Sequence, residues 1–197
     1  MYHVAFEGFD GVGKSSAAKA LAQAMGWRFV EKPLAYLTDP AGGTENYQDF
    51  IGHINRTTNL ELRAMIYGSG LYYTSQLAAK ENIVTDRHLC SMYSINYVGR
   101  NAAFFDYLVG LCGSPTLTVI LYADPEVRRA RIMKRNPNDP DLAKHFTAFD
   151  HLKLKQFVEH YNMPHLLIDN THLSIEETVQ IVQHVLKDMN DGLKKAH

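Results

Sequence analysis

Gly8-Phe9-Asp10-Gly11-Val12-Gly13-Lys14-Ser15 stands between an apolar run, Tyr2–Glu7, and a stretch of helical period, Lys14–Met25. The spacing is GxxxxGK[ST], and the order strand, loop, helix is the context in which that spacing holds phosphate. Glycines let the backbone curl until its N–H groups face inward, and the helix that follows adds the positive end of its dipole. Lys14 supplies a cation for β- and γ-phosphates, and the Ser15 hydroxyl suits Mg²⁺. Gly8, Gly11, Val12, Gly13, Lys14, Ser15 and Ser16 are therefore the expected ATP-binding residues. The base-reading NKxD of GTPases is absent, so the expectation is phosphotransfer to a small acceptor.

Outward from this loop, further apolar runs read as strands: Trp27–Glu31, Asn82–Asp86, Leu117–Tyr122 and His165–Asp169. They are short, continuous and rich in Val, Ile, Phe and Leu, as parallel strands covered on both faces must be. Helical period falls between them: Leu60–Lys80, a pair within Ser91–Leu111, Pro125–Arg135, Ala143–Tyr161 and Ile175–Asp188. Asp124-Pro125 reads as an N-cap carboxylate followed by proline in the first helical position. The alternation predicts an α/β three-layer sandwich with right-handed crossovers. Lys32–Asn55, with Pro33, Pro40 and Gly42-Gly43, reads as the least regular stretch. Pro137 and Pro140 forbid continuous helix through Asn136–Asp141. Both breaks fall beyond the sheet, where such folds bind ligands.

At 197 residues the chain fits a single domain, 1–197, with a small mobile appendage. A hydrophobic fraction of 46% suffices for a core, and at a net charge of −1 no basic surface advertises binding to long nucleic acids. Cys90 and Cys112 form no CxxC pair and read as buried free thiols, which suits a reducing cytosol. No apolar run approaches the ~20 residues of a membrane span, and no signal peptide is visible. The expectation is a soluble cytoplasmic protein.

The acceptor side rests on isolated residues. Glu7 and Asp10 flank the phosphate loop, where a carboxylate beside polyphosphate needs a reason. One is a hydroxyl to bind or deprotonate; the other, for Glu7, is a buried strand-end carboxylate paired with an arginine. Asp86-Arg87 ends a strand: the acid suits Mg²⁺ or its water shell, and the arginine a second phosphate. The two could equally form a structural ion pair. Arg128, Arg129, Arg131, Lys134 and Arg135 put five cations and no acid in one stretch before the Pro/Asn/Asp loop. That suits a lid, about 128–142, closing over triphosphate, while a solvated helix face is the plainer alternative. The aromatics Tyr72, Tyr73, Phe104, Phe105 and Tyr107 suit a core, whereas Tyr67 suits base stacking.

The assembled pattern resembles the thymidylate kinase family from end to end. Its opening FEGxDGxGK[ST][ST] reads Phe6-Glu7-Gly8-Phe9-Asp10-Gly11-Val12-Gly13-Lys14-Ser15-Ser16. Its DRxxxSxxAY[QN] aligns with Asp86 to Asn96, and its LxxDPExxxxRIxKR with Leu121 to Glu126 and Arg131 to Arg135. The resemblance implies a five-stranded parallel sheet, a helical lid, Mg-ATP as donor, a nucleoside monophosphate as acceptor and usually a homodimer. It implies Asp10 on the sugar 3′-hydroxyl, Arg87 on the acceptor phosphate, and lid arginines, Arg131 and Arg135, at the transferred group. Gly11 after Asp10 resembles the branch whose catalytic cation comes from the lid. The family's Arg-Glu-Pro-Gly-Gly-Thr survives only as Glu31-Lys32-Pro33 and, later, Gly42-Gly43-Thr44. In its helix signature LFxAxR, Tyr67 keeps the stacking aromatic but Leu71 replaces the base-reading arginine, which leaves Asn96 as the first candidate donor. The related deoxynucleoside kinases, with EGNxGxGK[ST][ST], use the glutamate matching Glu7 as base for a 5′-hydroxyl. A nucleotide-binding regulator without catalysis is the third reading, opposed by Lys14, Ser15 and Asp86.

Overall fold

The computed structural model describes residues 1–39, 41 and 43–195. In chain order the elements are β1 (His3–Glu7), α1 (Lys14–Met25), β2 (Arg28–Val30), α2 (Ala35–Thr38), α3 (Glu45–Arg56) and α4 (Leu60–Ala78). There follow β3 (Ile83–Asp86), α5 (Leu89–Asn96), α6 (Ala102–Cys112), β4 (Leu117–Tyr122), α7 (Pro125–Arg135), α8 (His151–His160), β5 (His165–Asp169) and α9 (Ile175–Lys195). The sheet is parallel throughout, ordered β2-β3-β1-β4-β5. This is the α/β sandwich expected from the alternating pattern.

Burial explains why the strands are unbroken apolar runs. Val4, Phe6, Val119 and Leu121 pack with α1 and α9 on one face, while Ile120 joins the cluster under α5, α6 and α8 on the other. Successive side chains point to opposite faces, so both must be apolar when helices cover both. Every residue of β1 is buried, and it lies between β3 and β4. Its C-terminal end is thus where the order reverses, and the crevice there receives both the Gly8–Gly13 loop and Asp86-Arg87.

Four expectations need correction. Lys32–Asn55 is not irregular throughout, because α2 and α3 occupy much of it; Pro40 and Gly42 lie outside the described residues. Asp39 organises the entry to α3 by accepting from the N–H groups of Asn46 and Tyr47, a tertiary-like bridge across the turn. The Ala143–Tyr161 helix is a short 3₁₀ turn at Pro140–Ala143 and then α8. Phe146, between them, is drawn under the guanidinium groups of Arg128 and Arg129 at 4.6 and 5.4 Å. Asp124 does occupy the N-cap of α7 with Pro125 after it, but its side chain makes no capping bond. Cys90 is buried as expected, Cys112 only half-buried, and both are free. Among the described residues no helix is long and apolar enough to cross a membrane.

Candidate active site

The phosphate loop takes its shape from left-handed backbone. Gly11, at φ +81°, could not carry a side chain, since a Cβ there would lie 2.6 Å from the Arg128 carbonyl. Lys14, only 6% exposed, opens α1 and donates to the Phe9 carbonyl at 2.8 Å. Burial, with Arg87 adding to it, lowers its pKa to about 7 against the opposing pull of Asp86, Asp10 and Glu7. A desolvated ammonium of this kind gains most when an anion arrives. Gly11, Gly13, Lys14, Ser15 and Ser16 line a cleft of about 650 Å³ with Arg131 and Arg135. Gly8 and Val12 stand behind it, Val12 with its side chain in the core.

The Ser15 hydroxyl donates to Asp86 Oδ2. Asp86 Oδ1 and Arg131 Nη1 are buried without a partner among the described residues. An unpaired carboxylate oxygen beside a serine hydroxyl fits Mg²⁺, and an unpaired guanidinium nitrogen fits phosphate oxygen. Among the described residues no cluster of three or more His, Cys, Asp or Glu could hold a metal by itself. A Mg²⁺ ion here would therefore rest on Ser15, Asp86 and oxygens of the substrate.

A second chamber, about 470 Å³, shares Glu31, Asp86 and Arg87 with the first. Tyr67, Leu71, Met92, Ile95 and Asn96 line it, along with the cations Lys32, Arg63, Arg87 and Lys144. Arg87 sits at φ +74°, a strained conformation for a side-chain-bearing residue, and pairs with Asp10 at 2.6 Å. Lys144 pairs with the other Asp10 oxygen at 2.9 Å. Burial alone would raise the Asp10 carboxyl, but Arg87, Lys144 and Lys14 together hold it down at about 2. The ion pair considered for Asp86-Arg87 thus forms between Arg87 and Asp10.

Glu7 is where the structure parts most from the sequence reading. It is 0% exposed, and its Oε1 accepts from the N–H groups of His88 and Cys90 at 2.9 and 3.0 Å. Its Oε2 accepts from the Ser91 N–H at 3.2 Å and from the Ser91 hydroxyl. The carboxyl thus caps the start of α5 and lines neither chamber. Of the two alternatives for Glu7, burial holds, with helix N–H groups rather than an arginine as its hydrogen-bond partners.

Asn96 lines the chamber but is only 2% exposed, and one hydrogen of its Nδ2 goes to the Met92 carbonyl at 3.0 Å, which leaves its second N–H as the donor it could offer a base. Leu71 lines the chamber one helical turn from Tyr67, yet is 6% exposed and packed in the core. The five cations of α7 divide. Arg128 is 3% exposed and structural: it pairs with Asp150 at 3.0 Å and donates to the Asp10 carbonyl at 3.0 Å. Arg129 donates to the Leu142 carbonyl, and Arg135 is held by Asp139 at 2.5 Å. Acids that follow in the chain thus pair two of the five cations, Arg128 and Arg135. Among the described residues of α7, only Arg131 lines the donor cleft with a buried unpaired nitrogen.

Sequence reasoning missed Arg63, Lys144 and Asn170. Asn170 directly follows β5 and donates to the Val12 carbonyl at 2.6 Å, a position at a strand's C-terminal end that marks it. Arg63 lies one turn before Tyr67 and so shares its face of α4. Nothing local marks Lys144, which reaches Asp10 only through the tertiary fold.

Residues 6–182 match the thymidylate kinase family. No curated protein matches the chain at a significant level. Among solved structures, thymidylate kinase from Ehrlichia chaffeensis superposes with a TM-score of 0.61 at 15% identity, covering 94% of this chain and 98% of its own. Deoxyadenosine kinase from M. mycoides with bound dATP superposes with a TM-score of 0.60 at 14% identity, covering 94% of this chain and 99% of its own. At such identities the likeness is one of fold, whereas the family match spans most of the chain. The chain belongs to the thymidylate kinase family of nucleotide kinases.

Proposed function

We propose that this kinase transfers the γ-phosphoryl group of Mg-ATP to a (deoxy)nucleoside monophosphate, giving the diphosphate and ADP. The observation that carries the proposal is the contrast at the acceptor chamber: four cations line it, while the carboxylate a nucleoside kinase would need is sealed behind it. A phosphate monoester has its second pKa near 6, so its oxygen is already an anionic nucleophile at pH 7. It needs no general base. An acceptor oxygen bonds to the γ-phosphorus as the bond to the β–γ bridging oxygen breaks, and ADP leaves.

Loop amides and Lys14 hold the β- and γ-phosphates, Arg131 faces the charge that develops, and Arg87 holds the acceptor phosphate. Ser15 and Asp86 would hold Mg²⁺, which shields phosphate charge when bound. Asp10, kept ionised, accepts from the sugar 3′-hydroxyl, and Tyr67 stacks on the base. Residues 128–142 act as the lid of a single domain, 1–197. Arg131 is a better placed catalytic cation than Arg135, which is 61% exposed and already paired. A homodimer belongs to the same proposal.

The test is a panel of nucleosides and monophosphates with Mg-ATP, followed by ADP release. Monophosphates should turn over, and Arg87→Ala should weaken their use. Efficient phosphorylation of a nucleoside with monophosphates ignored would replace this reading with the nucleoside kinase one.

Base selectivity gives a separate expectation. Stacking on Tyr67 is nearly indifferent to base identity. An arginine reading the base edge contributes ~1–3 kcal/mol of discrimination, and Leu71 contributes none. Catalytic efficiencies for the four deoxynucleoside monophosphates should therefore lie close together or favour a base other than thymine. Leu71→Arg should move preference toward thymidylate by about tenfold or more. A wild type already strict for thymidylate would remove Leu71 from base recognition.

A further inference from the structure

Of the four cations in the acceptor chamber, three are matched by acids: Arg87 and Lys144 by Asp10, and Lys32 by Glu31 at 3.8 Å. Arg63 is different. Among the described residues its side chain makes no hydrogen bond and no ion pair, and its Nε is buried without a partner while the side chain lines the chamber. A half-buried guanidinium without a counter-ion is costly unless a ligand supplies acceptors.

Its place on α4 says which part of the ligand. Arg63, Tyr67 and Leu71 follow one another at single-turn spacing on one helix face, so Arg63 and Leu71 stand about 12 Å apart along the axis. Leu71 and Met92 belong to an apolar cluster and make that end of the chamber suitable for a base. The other end is polar, where the Tyr67 hydroxyl donates to Asn55 at 2.8 Å. Arg63 and Arg87 both line the chamber, and both oppose, with the bond to Asn55, the burial that raises the Tyr67 hydroxyl. The chamber therefore runs from apolar to cationic over roughly the length of a nucleotide.

We propose that Arg63 is a second anchor for the acceptor's phosphate, gripping it together with Arg87. This rests on the monophosphate reading above and names a residue for it that no motif in the sequence contains. An arginine from α4 would then do its work beside Glu31-Lys32-Pro33, where the chain carries an acid and a lysine but no arginine.

The test is calorimetric binding of the four deoxynucleoside monophosphates and their parent nucleosides to wild type, Arg63→Ala and Arg63→Lys. Arg63→Ala should weaken monophosphate binding by about 10–100-fold, the scale of a hydrogen bond to a charged group, and leave nucleoside binding nearly unchanged. Arg63→Lys should recover part of the loss, since an ammonium restores charge without the bidentate fork. If Arg63→Ala does not fold, as judged by circular dichroism, Arg63→Met keeps the apolar stem and replaces it. Equal weakening of nucleoside and monophosphate would overturn the proposal in favour of a base or sugar contact, and no change in either would leave Arg63 outside the site. A wild type that binds nucleosides better than monophosphates would instead overturn the acceptor reading, whatever Arg63 does.

Discussion

Lys14→Ala lowers turnover by about 10²–10³-fold, the loss typical of one preorganised electrostatic contact, while the protein stays folded. The side chain is almost wholly buried and, among the described residues, hydrogen-bonds only to the Phe9 carbonyl, so the fold itself gains little from its charge. Its charge is useful chiefly to an arriving polyphosphate. The same burial makes a pH signature. With the free enzyme's pKa at about 7, the lysine is protonated below that value and increasingly neutral above it. Polyphosphate favours the cation and raises its pKa, so binding takes up a proton, and ATP affinity should be full below about pH 7 and decline above it. Lys14→Ala should flatten that decline. Turnover near the wild-type value in a folded Lys14→Ala protein would end the phosphotransfer reading.

Glu7→Ala is expected to destabilise the fold by about 3–5 kcal/mol, since each buried donor left without an acceptor costs about 1–3 kcal/mol. Three backbone N–H groups at the start of α5 and the Ser91 hydroxyl would lose their acceptor inside the protein. Since β1 carries Glu7 and α5 borders the acceptor chamber, the loss would loosen the joint between the phosphate loop and the acceptor site. Glu7→Gln is milder: its carbonyl oxygen can still accept from His88 and Cys90, but its amide opposes the Ser91 N–H, at about 1–3 kcal/mol. Burial raises the Glu7 carboxyl above its ordinary range, more than its donors lower it. A group raised on folding contributes stability that is present at low pH and lost as pH rises through its folded pKa. Glu7→Gln cannot ionise and should lack that loss. Denaturant melts across pH, with turnover measured well below the midpoint, separate the roles. A turnover loss of about 10³ or more with stability intact would restore Glu7 as a general base.

Gly8 to Ser15 between strand and helix was sufficient to read the phosphate loop, because backbone N–H groups hold phosphate and their geometry depends on nearby glycines. The parallel sheet was equally legible: strands covered on both faces must be continuous apolar runs, and each run proved to be a strand within a residue or two. What sequence could not reveal were partnerships between residues far apart in the chain. Glu7, Asp10, Asp86 and Arg87 were all singled out from sequence, but only the fold shows that Glu7 turns to α5, Arg87 to Asp10, and Asp86 to Ser15. The five cations of α7 look alike in sequence; Arg128 is buried against Asp150 and Arg131 faces the donor cleft because helix phase and the path of 136–150 set their neighbours. Lys144 carries no local pattern at all, and Arg63 only its one-turn spacing from Tyr67. A cation's role depends on whether the fold gives it a counter-ion, and that is decided by distances of a few ångströms between segments the chain keeps far apart.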